Sequence, residues 1–140
     1  MIAYFDTSAV VPLLVAEAGS ARSSLLWDGA DRVVSVRLVY PECRAALAQA
    51  HRLGRVTTRQ LRVAVTEFDS RYEELDLIDI DDSLARRAGD LAESHGLRGY
   101  NAVHLAAADR VLDPDLVVVA GDGALLDAAT SEGMTIAAVG

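Results

Sequence analysis

Ile2-Ala3-Tyr4-Phe5-Asp6-Thr7-Ser8-Ala9 is the stretch on which the fold turns. A short run of apolar and aromatic residues closes abruptly on a carboxylate and two hydroxyls, and Val10-Val11-Pro12-Leu13-Leu14 follows. This pattern reads as a buried strand whose carboxyl end turns directly into a helix. On these residues alone, Asp6 or Thr7 is simply the cap of that helix, accepting a bond from a free backbone N–H. Whether Asp6 is more than a cap depends on what the rest of the chain brings to meet it.

Composition narrows the classes. At 140 residues and 14.9 kDa the chain is read as one domain, 1–140, large enough for a real core without staples. Residues of apolar type make up 51% but are spread along the sequence, and none of the runs approaches the roughly 20 residues of a membrane span. The amino terminus enters the strand with no basic region or cleavage site ahead of it, so no secretory signal is expected. The single cysteine, Cys43, has no internal disulfide partner, fits a reducing cytoplasm and reads as a small buried apolar residue. Net charge is −8, and all 13 basic residues are arginine. Such a chain is a poor nonspecific binder of phosphate backbones, whereas a basic peptide or a divalent cation would be drawn to it.

Outward from the first strand, the spacing predicts a helix over 7–16 bent by Pro12, then a second helix capped by Ser20 with Leu25, Leu26 and Trp27 as its apolar surface. Val33–Val36 is a short strand, and a helix follows from Leu38 to about Leu53, with Pro41 tolerated in its first turn and Glu42 just beyond. Thr57-Thr58-Arg59-Gln60 opens the next helix with a capping-box pattern, and Leu61, Val65, Phe68, Tyr72 and Leu75 make a narrow apolar stripe along it. That stripe is expected to pack on its own domain, with a dimer face as the alternative. A third strand is placed at Leu77–Ile80, and Asp81-Asp82-Ser83 caps a further helix; the acids at 76, 79, 81 and 82 are read as strand-end and cap residues. An alanine-rich helix spans Tyr100–Val111, the most hydrophobic strand Leu116–Ala120 belongs beside the first one at the sheet centre, and Met134–Ala137 forms a last edge strand. Strands alternating with helices in this way give an α/β domain with a central parallel sheet of four to five strands, flanked by helices on both sides.

In such a sheet, ligands bind beyond the carboxyl ends of the strands, where strand order reverses. Asp6 ends the first strand, Asp122 follows the fourth, and Glu42 approaches after the second. Like charges about 4 Å apart repel by roughly 4 kcal/mol per pair at an effective dielectric near 20, so three converging acids call for a cation or a proton. Oxygen ligands without clustered His or Cys select Mg²⁺ or Mn²⁺ over zinc. Rivals of the same fold class lack their own requirements here. A phosphoacceptor receiver needs a lysine, a haloacid-dehalogenase-type phosphatase needs an aspartate where Ser8 stands, and Gly121-Asp122-Gly123 lacks the third glycine of a dinucleotide turn.

Four landmarks then line up in order: Phe5-Asp6-Thr7-Ser8-Ala9, Glu42, the run Leu97-Arg98-Gly99-Tyr100-Asn101-Ala102-Val103-His104-Leu105-Ala106, and Asp122 with Leu125, Ala128, Ala129 and Gly133 behind it. Together, from Ile2 to Gly140, they resemble the PIN-domain ribonucleases, and specifically the VapC-type toxins of bacterial type II toxin-antitoxin pairs. The resemblance implies Mg²⁺- or Mn²⁺-dependent endoribonucleolytic cleavage of a structured RNA such as tRNA or rRNA. It implies that Asp6, Glu42 and Asp122 hold the metal directly or through water, with Thr7 or Ser8 orienting Asp6. It also implies a cytoplasmic homodimer bound by a VapB-like antitoxin in a hetero-oligomer, touching operator DNA only through the antitoxin.

One position departs from the pattern. Where the family carries aspartate, this chain has Asn101, which keeps a carbonyl oxygen and loses the charge, so cation binding should weaken. Three readings stay open: an introduced inactivating change, preferred because the surrounding motif is intact; a natural loss in a weak or dead member; or a site that works with three acids. Ala120, where a hydroxyl residue is often found, is a smaller departure. A catalytically impaired PIN-fold protein that only binds antitoxin or RNA is the alternative function. His104, three residues after Asn101 on the same helical face, is read as a packed, hydrogen-bonded imidazole, with an acid or ligand role as the alternative. Arg98 is the candidate for RNA phosphate, and Tyr100 is assigned to packing rather than base stacking.

Overall fold

Along Ile2–Phe5, strand β1, side chains point alternately to the two faces of the sheet, and both sets are apolar and buried: Ile2 and Tyr4 on one side, Ala3 and Phe5 on the other. A strand with no polar face belongs inside a parallel sheet covered on both sides. In the computed structural model, which describes residues 1–140, β1 is the middle of five strands. The others are β2 (Arg32–Val36), β3 (Asp76–Ile78), β4 (Leu116–Ala120) and β5 (Thr135–Ala138), in the order β3-β2-β1-β4-β5 with all pairs parallel. Ile2 is in register with Arg32 on one side and Leu116 on the other. The chain leaves β1 toward β2 and returns across it to β4, so strand order reverses between β1 and β4.

Seven helices complete three layers. Helices α1 (Thr7–Leu14), α2 (Ser20–Gly29), α3 (Val39–Arg52) and α4 (Thr58–Glu74) pack on the Ala3 and Phe5 face, through Val10, Trp27, Cys43 and Phe68 among others. The Ile2 and Tyr4 face is covered by α5 (Asp82–His95), α6 (Gly99–Val111) and α7 (Gly123–Ser131), through Leu84, Leu91, Leu105 and Leu125. Phe5 meets Trp27 edge-on with ring centroids 5.1 Å apart, and each such buried aromatic or aliphatic side chain contributes about 1.5–3 kcal/mol. The α4 stripe packs on its own domain: Phe68 and Leu75 are buried, and Phe68 stacks on Tyr40. None of the helices is long and apolar enough to cross a membrane.

Local expectations met several corrections. Helix α1 ends at Leu14, two residues early, because Val15 turns extended. Ser20 is not the cap of α2: Gly19 holds that position, packed so closely on the carboxyl terminus that a Cβ would lie 3.0 Å from the Gly140 amide, while the Ser20 hydroxyl accepts from the Glu17 amide instead. Leu25 points to solvent, 70% exposed. Strand β3 stops at Ile78, since Asp79 turns outward to pair with Arg37. The acids at 76, 81 and 82 likewise pair with Arg32, Arg110 and Arg86, and Asp81 caps α5. The capping box at Thr57 and Gln60 forms as read.

Candidate active site

Four of the five strands run at their carboxyl ends into a helix, and the three acids sit at such junctions, whereas Asn101 stands at the start of α6, which follows α5. Asp6 is the N-cap of α1, Asp122 is the N-cap of α7, Glu42 lies in the first turn of α3 and Asn101 in the first turn of α6. Partial positive charge at each helix start stabilises a nearby carboxylate by about 0.3–1 kcal/mol, which offsets part of their mutual repulsion. All four line one pocket of about 350 Å³, together with Thr7 and Ser8.

The hydrogen bonds divide the labour between the oxygens of each acid. Asp6 Oδ2 accepts from the Ser8 amide at 3.1 Å and from the Ser8 hydroxyl at 2.5 Å. The same Ser8 hydroxyl accepts from the Gly121 amide at 2.8 Å, tying the end of β1 to the loop after β4. The approach is close: a Cβ at Gly121 would lie 3.2 Å from the Val139 carbonyl oxygen. Of the two hydroxyls expected to orient Asp6, Ser8 is the one that reaches it, while the Thr7 hydroxyl donates to Glu42 Oε1 at 2.8 Å. Asp122 Oδ1 accepts from the Leu125 amide at 3.1 Å, and its Oδ2 accepts from the Asn101 side-chain amide at 3.2 Å. Asp6 Oδ1 and Glu42 Oε2 accept no hydrogen bond from the protein beyond the close approach of His104 to Asp6.

His104 lies behind the pocket wall, in contact with Glu42 and Asp6, and is 1% exposed. Its Nε2 lies 2.6 Å from Glu42 Oε1 and 3.3 Å from Asp6 Oδ1, and its Nδ1 lies 2.9 Å from the Tyr4 hydroxyl. Burial pulls the imidazole toward its neutral form, but the hydrogen bond to Glu42 and the charges of Asp6 and Glu42 outweigh it and raise its pKa above 6.5. The Tyr4 hydroxyl is held well above its ordinary value of 10, first by burial and then by the Asp6 charge. Burial, followed by the charges of Glu42 and Asp6, pushes the Cys43 thiol far up, so it is inert filling of the core as expected.

The donor set of carboxylate oxygens and one amide suits a hard divalent cation. Both nitrogens of His104 are already engaged by protein groups. The carboxylates share a pocket rather than a closed cage: no group of three or more His, Cys, Asp or Glu side chains is drawn to metal-holding spacing. Asn101, 5% exposed, spans part of that gap by reaching Asp122.

Three further residues complete the surroundings of the pocket. Tyr100 is not packing; it is 43% exposed on the rim of the pocket. Arg98 is exposed, forms no side-chain hydrogen bond and is not among the pocket-lining residues. Glu17, in the turn after α1, lines the pocket and adds a fourth carboxylate to its wall. A short turn outside any periodic pattern gave no signal that would have found it.

The family model described as PIN domain matches residues 3–129. Ribonuclease VapC45 of Mycobacterium tuberculosis (strain CDC 1551 / Oshkosh) is 43% identical over 136 residues, covering 97% of this chain and 94% of the relative. Among solved structures, FitAcB from Neisseria gonorrhoeae superimposes with a TM-score of 0.71 at 17% identity, over 97% of this chain and 96% of the other. A toxin-antitoxin complex from Klebsiella pneumoniae gives 0.63 at 16% identity, over 86% of each chain. At these identities the structural likenesses speak for the fold.

Proposed function

The chain belongs to the PIN-domain family as a VapC-type ribonuclease toxin, and from that premise we propose that it is an endoribonuclease whose Asp6, Glu42 and Asp122 hold Mg²⁺ or Mn²⁺ against an RNA phosphodiester. The observation that supports the proposal is the division of oxygens, in which Asp6 and Glu42 each have one oxygen fixed by the protein and Asp6 Oδ1 and Glu42 Oε2 are left over, while Asp122 has Oδ1 on the Leu125 amide and Oδ2 on the Asn101 side chain. A bound divalent cation supplies charge neutralisation at the phosphate and a more acidic water. Ser8 holds Asp6, Thr7 and His104 hold Glu42, and the Leu125 amide holds Asp122, so the carboxylates meet the cation already oriented. Tyr100, exposed on the rim, would stack on an unpaired base, and Arg98, exposed just before α6, is the candidate for a flanking phosphate.

The partner of such a toxin is a VapB-like antitoxin, whose basic side chains would suit the acidic pocket of this −8 chain. A homodimer within a toxin-antitoxin hetero-oligomer, operator DNA contacted only through the antitoxin, a tRNA or rRNA substrate and a cytoplasmic setting complete the proposal. One contact favours a second reading. The Asn101 amide donates to Asp122 Oδ2, an oxygen that a cation would need, which suits an impaired protein that binds without cleaving. The chain and its Asn101→Asp variant, incubated with total RNA and Mn²⁺, separate the two readings. Cleavage by the variant that EDTA stops and Asp6→Asn abolishes supports the nuclease. Absence of both cleavage and millimolar Mn²⁺ binding in either form refutes it and leaves the binding protein.

A further inference from the structure

Two donors converge on a single oxygen of Glu42. Thr7 Oγ1 donates to Oε1 at 2.8 Å and His104 Nε2 lies 2.6 Å from the same atom, while Oε2 receives nothing from the protein. The other polar atoms near His104 Nε2 are Asp6 Oδ1 and Thr7 Oγ1, each at 3.3 Å. With two carboxylate oxygens facing it, Nε2 carries a hydrogen whether the ring is neutral or charged. Tyr4 accommodates either state at Nδ1, 2.9 Å away, since a hydroxyl donates to a bare nitrogen and accepts from an N–H. The ring is also wedged edge-on against the Tyr4 ring, with centroids 5.9 Å apart, and both residues are fully enclosed.

We infer that His104 is a positioning residue: anchored by Tyr4 from the central strand, it fixes Glu42 through Oε1 and leaves Oε2 as the oxygen that meets a cation. Glu42 stands on α3 on one face of the sheet, whereas His104 stands on α6 on the other. The Tyr4–His104–Glu42 chain therefore runs past the end of β1 and couples the two helical layers at the site. Glutamate is the most freely rotating of the three acids, and holding it beforehand removes a rotamer cost from cation binding.

This inference rests on reading Glu42 as a cation-holding carboxylate, and the experiment keeps the two apart. Mn²⁺ is titrated calorimetrically into the chain and into Asn101→Asp, each with His104→Leu, His104→Gln or Tyr4→Phe, with circular dichroism confirming the fold. His104→Leu is expected to raise the Mn²⁺ dissociation constant about 10- to 100-fold. His104→Gln, which keeps an amide donor facing Glu42, should recover most of that loss, and Tyr4→Phe should show a smaller, severalfold weakening. Should His104→Leu fail to fold, Tyr4→Phe and His104→Gln decide. In ¹⁵N-histidine-labelled protein, the His104 Nε2–H should appear as a slowly exchanging downfield proton that Glu42→Gln shifts, with or without Mn²⁺. A His104 Nε2 without hydrogen, a resonance indifferent to Glu42→Gln, or unchanged Mn²⁺ affinity in both His104→Leu and Tyr4→Phe overturns the inference. If no form binds Mn²⁺, the cation reading falls by itself and the resonance still decides the positioning role.

Discussion

Replacing Asn101 with aspartate should make the metal-free protein less stable and the metal-loaded protein more so. In the chain as it stands, the Asn101 amide donates to Asp122 Oδ2 at 3.2 Å. A carboxylate in its place turns that contact into a repulsion of roughly 5 kcal/mol at an effective dielectric of 20, and a hydrogen bond of about 1 kcal/mol is lost besides. Asp122 is only half-buried, so water and small displacements screen the pair, and a net cost of about 2–3 kcal/mol is the expectation. For a chain of this size, 1 kcal/mol shifts the unfolding midpoint by roughly 3–4 °C, so Tm in EDTA at pH 7 should fall by about 6–12 °C. Millimolar Mn²⁺ should reverse the loss in Asn101→Asp and move the parent chain much less. Scanning calorimetry of both proteins in EDTA and in MnCl₂ gives the answer. An Asn101→Asp variant as stable as its parent in EDTA, or no more responsive to Mn²⁺, would refute the idea that position 101 faces the other acids across a cation site.

Ser8→Ala removes the donor to Asp6 Oδ2 and the acceptor of the Gly121 amide; urea unfolding should show a loss of about 1–2 kcal/mol, and calorimetric titration a weaker affinity for Mn²⁺. Phe5→Ala opens the core on the α1–α4 side and removes the edge-on contact with Trp27, costing about 3–5 kcal/mol, and the single tryptophan reports the transition by fluorescence. Asp81 is held below its ordinary pKa of 3.8, first by the Arg110 hydrogen bond and then by the Leu84 amide. Its contribution is present above that value and lost as pH falls through the folded one, so Asp81→Asn should lower stability at pH 6 and converge on the parent toward pH 2 in urea titrations followed by circular dichroism.

The parts of the site that sequence made legible are those fixed by topology. Asp6 and Asp122 each follow a strongly apolar run, and once the alternating pattern implied a parallel sheet, both had to lie at its carboxyl edge where strand order reverses. Glu42 was reachable by the same logic. What stayed hidden was decided by side-chain rotamers across distant segments. Thr7 and Ser8 are adjacent hydroxyls, and only the packing of α1 sends one to Glu42 and the other to Asp6. Helical spacing put His104 on the face of Asn101 without saying that it reaches past Asp6 to Glu42 and back to Tyr4, whose alternation in β1 signals burial and nothing about its hydroxyl. Ser20 failed as a cap because the carboxyl-terminal segment crowds the preceding position, a constraint from 120 residues away that no local pattern carries.

The cap reading and the site reading of Asp6, which competed when only its neighbours were known, turn out to be compatible. Its Oδ2 accepts the Ser8 amide as an N-cap should, and its Oδ1 does not take part. Asp122 repeats the division with Oδ1 on the Leu125 amide, and Glu42 reproduces it without capping, through Thr7 and His104. A carboxylate has two oxygens, and a helix start consumes one. Strand-to-helix junctions on a parallel sheet thus supply oriented acids at no separate structural cost, with helix dipoles partly offsetting the charge they gather. By that logic Asn101, in the first turn of α6 but not its cap, is the member whose chemistry is least tied to folding. It is therefore the position whose charge can change without removing a helix cap, and the charge that the proposed cation would meet is set there.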